Sequence, residues 1–174
     1  MNSTSKNYYV PCIKEHKEEE KLCATIVKCG NSSSVQIPNG SPIGEKFLVA
    51  SLTLDTSCLC NPIIKLEYEA NITTINAYGT VSFQVYKQCG NQFTPVPVGS
   101  QWVLSIPQID QVGVTASTAF SFFVCDCDCF LEDCCTYTVV ATNIGETINT
   151  IFINNSTLGA IGTCSENKCC RNNC

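Results

Sequence analysis

Short apolar runs that alternate strictly with polar residues, cut at close intervals by turn-forming residues, dictate what this chain can become. Alternation with a period of two puts apolar side chains on one face of an extended segment, whereas a buried helix needs a period of 3.6. Ile64, Leu66 and Tyr68 interleave with Lys65, Glu67 and Glu69. Val81, Phe83 and Val85 do the same around Ser82 and Gln84, as do Phe120, Phe122 and Val124 around Ser121. Each set predicts a strand with one buried and one wet face. Strands are expected over residues 24–28, 46–54, 63–72, 79–87, 101–106, 119–125, 135–142, 147–154 and 157–163. Stretches such as 38–42, 89–91, 95–99 and 143–145 carry the Pro, Gly and Asn of turns and loops. The fold class that follows is all-β, an antiparallel β-sandwich of jelly-roll-like plan. Trp102, Leu104 and Ile106 are expected to join its core, with Trp102 as a packing anchor.

At 174 residues the chain has material for one domain with a real core. Three regions are expected: an N-terminal connector arm over 1–22, the sandwich over 23–163, and a cysteine-rich tail over 164–174. The arm carries Cys12 and a charged cluster at 14–21 with no apolar stripe to bury. Fully extended it would reach roughly 70 Å at ~3.3 Å per residue, far enough to enter a neighbouring subunit.

Fifteen cysteines make the second constraint. That density marks disulfide scaffolds in oxidising surroundings, and the odd count leaves at least one thiol to pair between chains or stay free. Residues 1–10 lack the charged start, apolar stretch and cleavage site of a signal peptide. Cysteine richness without an export signal fits a protein made in a mother cell and deposited on a spore, so the expected place is extracellular or on the spore surface. Cys12, Cys23, Cys169, Cys170 and Cys174, in or beside the arm and tail, are the candidates for intermolecular disulfides. The remaining candidates are Cys29, Cys58, Cys60, Cys89, Cys125, Cys127, Cys129, Cys134, Cys135 and Cys164. In extended chain, residues two apart share a face roughly 6.6 Å apart, so Cys58 and Cys60, or Cys125, Cys127 and Cys129, should take different partners. Adjacent Cys134 and Cys135 should point to opposite sides, one inward and one toward a neighbour.

Other chemistry finds little support. A metal site at Cys125–Cys135 would lack Cys-x-x-Cys spacing and histidine, since His16 in the arm is the chain's one histidine. Thiol or serine catalysis lacks a placed base for the same reason, and Glu67 and Glu69 read as a solvent face. No catalytic residue, cofactor or metal is expected. A net charge of −5 leaves no basic face for nucleic acid, and no apolar run is long enough for a membrane span. Charged residues are 14% of the chain, a surface suited to packing against copies of itself.

The stretches 51–62 (SLTLDTSCLCNP), 81–89 (VSFQVYKQC), 120–129 (FSFFVCDCDC) and 134–139 (CCTYTV) resemble an uncharacterised cysteine-rich domain family of anaerobic, clostridia-like spore formers. The likeness covers most of residues 24–164 and implies a setting without an assigned activity. In general plan the chain is also similar to subunits of endospore appendages, the pilus-like fibres of Bacillus spores. That architectural likeness implies jelly-roll domains whose strands extend a neighbour's sheet, with Cys12 standing where a connector cysteine would. The expected function is a structural subunit that self-assembles with copies of itself into a disulfide-crosslinked filament, held by a possible spore surface anchor protein. The alternatives are a monomeric disulfide-stapled binding module and a metal-sequestering spore coat protein.

Overall fold

The computed structural model describes residues 24–57, 59, 61–90, 92–108, 113–127 and 134–164. The connector arm, nearly all of the tail, and the cysteines at 12, 23, 58, 60, 129, 169, 170 and 174 lie outside the described residues. The described chain is all-β, without a helix. Nine strands run β1 (Ile26–Cys29), β2 (Ser33–Ile37), β3 (Lys46–Asp55), β4 (Pro62–Ile75), β5 (Gly79–Cys89), β6 (Val96–Ile106), β7 (Thr115–Asp126), β8 (Cys134–Asn143) and β9 (Ile151–Cys164).

They form two sheets with every pairing antiparallel, the sandwich of jelly-roll-like plan that the alternation implies. One sheet has the order β1-β9-β4-β7, with β2 also on β9; the other has β3-β8-β5-β6. The inward residues of β4, β5 and β7 meet between the sheets. Tyr68, Phe83 and Phe122 pack at ring-centroid distances of 5.1 to 6.5 Å, and Phe120 lies 4.6 Å from Phe83. Leu54, Leu66, Ile72, Tyr137, Ile151, Ile153 and Leu158 complete a dry centre.

Four expectations need correction. Strand β2 was not foreseen, because Ser33–Ile37 is short and has two apolar residues. The expected strands at 147–154 and 157–163 are one strand, β9. Asn155 takes a left-handed conformation (φ 52°) beside a register shift against β4, so a bulge breaks the alternation without ending the strand. The expected loop at 95–99 lies largely inside β6, where Gly99 (φ 66°) accompanies a second register shift. Trp102 is 41% exposed; it stacks on Phe122 at 5.5 Å from the rim, while Leu104 and Ile106 are half-buried against the core.

The two flanks of the sandwich differ. On one, the β1–β2 segment leans on edge strand β3: the Ser33 hydroxyl donates to the Val49 carbonyl, and a Cβ at Gly30 would stand 2.8 Å from the Ser51 carbonyl oxygen. On the other, β6 and β7 lie side by side. Among the described residues no strand pairs with the outer edge of either.

Candidate functional site

Antiparallel order sorts the ends of the strands into two poles. The ends of β3, β5, β7 and β9 and the starts of β4, β6 and β8 meet at one, since Asp55 faces Cys134, Cys89 faces Cys135, Ile64 faces Asp126 and Pro62 faces Cys164. Six cysteines therefore gather there, Cys89, Cys125, Cys134, Cys135 and Cys164 on four strands and Cys127 just past the end of β7. The opposite pole has no cysteine among the described residues and is tied by asparagines. Asn143 Nδ2 donates to the Ser41 carbonyl at 2.7 Å, Thr147 Oγ1 donates to Asn143 Oδ1 at 2.9 Å, and Asn149 Nδ2 donates to the Asn76 carbonyl at 2.8 Å.

At the sulfur pole Cys89 and Cys135, paired in register on β5 and β8, form a buried disulfide. Cys164 is also disulfide-bonded. Cys125 and Cys134 are exposed free thiols, and Cys127, just past the end of β7, is exposed too. Cys29 is a further exposed free thiol, on β1 opposite Gly159. No group of three or more His, Cys, Asp and Glu side chains among the described residues is arranged to hold a metal ion.

Beneath the thiols sits a charge pair that sequence reasoning missed. Lys87 Nζ lies 2.7 Å from Asp126 Oδ2, both side chains are less than a tenth exposed, and Tyr137 donates its hydroxyl to the same oxygen at 2.7 Å. A signal was present. Lys87 continues the inward parity of Val81, Phe83 and Val85, and Asp126 that of Phe120, Phe122 and Val124, so alternation alone places opposite charges in the interior. A groove of about 220 Å³ lined by Lys87, Val96, Gly99, Cys125 and Asp126 opens beside the pair.

The open flank runs away from this pole. Strand β6 has 11 residues and β7 has 12, and between them they carry one charged side chain, the buried Asp126. Val103 is 53% and Phe123 56% exposed along them. Strand edges of this length in soluble proteins are normally protected by lysine, proline or a bulge. Here Pro97 and the Gly99 bulge occupy the start of β6, and Ser100 to Ile106 and all of β7 lack such protection.

No curated protein matches the chain in sequence. Among solved structures, an Eiger TNF from S. frugiperda is 9% identical, with 79% of this chain and 91% of that one covered and a TM-score of 0.40. A carbohydrate-binding module specific for non-crystalline cellulose, CBM28, is 11% identical over 72% of this chain and 71% of its own, with a TM-score of 0.40. A putative sugar binding protein from Bacteroides thetaiotaomicron VPI-5482 is 14% identical over 82% and 84%, with a TM-score of 0.38. A family model matches residues 23–163, and the chain belongs to that family, the domain of unknown function DUF4489.

Proposed function

We propose that this protein is a non-enzymatic structural subunit that joins copies of itself into a disulfide-crosslinked filament, extracellular or on a spore surface, where an anchor protein would hold it. One observation carries the reading: the neighbouring edges of β6 and β7 are long, without exposed charge, and unpaired among the described residues. Unpaired backbone N–H and C=O groups on such an edge recruit a strand of another molecule, and main-chain hydrogen bonds supply the affinity. Thiols at the sulfur pole, with those of the arm and tail, would then close the contact covalently.

Electron microscopy and non-reducing gels of the purified full-length protein test this. Filaments and a ladder of covalent multimers are expected, the ladder collapsing to one band with reductant. Val103→Lys combined with Phe123→Lys places charge on both edges and should shorten the ladder. Single particles with every bridge inside one chain would refute the proposal. A binding module displayed singly is the second reading. It is favoured by the shallow groove on the outer face of the five-stranded sheet, where Val27, Ile161, Lys65 and Glu67 surround Gly159.

A further inference from the structure

Lys87 and Asp126 hold an amine and a carboxyl group in contact between two sheets, in surroundings that exclude most water. As an ion pair the arrangement adds little stability, because the cost of desolvating two charges roughly offsets their attraction. An amide forms from the neutral partners, an amine and a carboxylic acid, which arise when the ammonium proton passes to the carboxylate across that contact. A neutral amine held against a carboxyl carbon is a nucleophile at its electrophile, and fixed contact of this kind replaces a very high reactant concentration.

We propose that Lys87 and Asp126 condense into an intramolecular amide that ties β5 of one sheet to β7 of the other. The Nζ lone pair adds to Asp126 Cγ, and the Nζ–Cγ bond forms as the Cγ–Oδ2 bond breaks. Oδ2 departs as water with the acid proton and one proton from Nζ; nothing is oxidised or reduced. Tyr137, whose hydroxyl donates to Oδ2, stabilises the charge that develops on the departing oxygen and eases its protonation. The groove beside Lys87 and Asp126 gives the water a way out. The link would hold the sheets together under reducing conditions that open the nearby Cys89–Cys135 bridge, and it stands whether or not subunits assemble.

Intact mass of the full-length chain, unfolded with all cysteines reduced and alkylated, decides the matter. The expected mass is that of the sequence less one water, with no tryptic cleavage after Lys87, so that residues 66–168 run as one peptide one water lighter than its sequence. Lys87→Arg should restore the full sequence mass. Asp126→Asn should still close, losing ammonia, and give a product identical in mass to the wild type, which keeps the test open if the Lys87 variant does not fold. Tyr137→Phe should leave a larger uncyclised fraction in freshly made protein. A wild-type chain of full sequence mass, or a water loss mapped to any other residue, overturns the proposal.

Discussion

Tyr68 shows at the scale of one residue how the core depends on solvent conditions. Its ring is buried between Phe83 and Phe122, and burial pushes the phenol from its ordinary value near 10 up to about 12, against a hydrogen bond from Ser156 that pulls it down. The folded state therefore prefers the neutral phenol. Between pH 10 and 12 the unfolded chain has lost this proton and the folded chain keeps it, so stability is complete below about 10 and falls as pH rises toward 12. The shift corresponds to about 2–3 kcal/mol. Urea unfolding midpoints across that window should decline, and Tyr68→Phe should flatten the decline. An equal slope in both proteins would show that Tyr68 is not its source.

Among the elements, β6 holds a position closed to any side chain. Gly99 sits at φ 66°, and a Cβ built there would come 2.9 Å from Val124 Cγ1 on β7. Both the backbone and the neighbouring strand resist a side chain. Gly99→Ala should cost roughly 1–3 kcal/mol, read as a lower urea midpoint at unchanged m-value. The same strand shows where sequence reading succeeds and fails. Alternation exposed the interior faces of β4, β5 and β7 directly, because inward and outward residues differ in polarity there. It failed at Val96 to Gly99, where Pro97 and Gly99 look like a loop but serve an edge strand that accommodates both, and at Asn155, where a bulge resembles a turn. Trp102 was misplaced for a related reason. Its face points inward, yet an edge strand cannot cover a ring that large from both sides. The pairing of Lys87 with Asp126 and of Cys89 with Cys135 needed strand order as well as parity, and order is set by contacts far apart in the chain.

For the molecule as a whole, the decisive contrast is between its two flanks. The contact of Ser33 with Val49 and the close approach of Gly30 to Ser51 draw the β1–β2 segment against β3, while the outer edges of β6 and β7 meet no strand among the described residues. Two copies meeting there like with like form a two-fold contact that uses the same surface on both partners. Sedimentation of the native protein after mild reduction should find pairs; bare monomers would place the contact elsewhere. If the proposed subunits pair through the β6–β7 flank in this way, each has a valence of one along its side, and side-by-side growth halts at two. Any longer chain of copies would then be jointed through a pole or terminal segment, where cysteines lie, so its repeating brick would be a couple of subunits and its breakable seams would be made of sulfur.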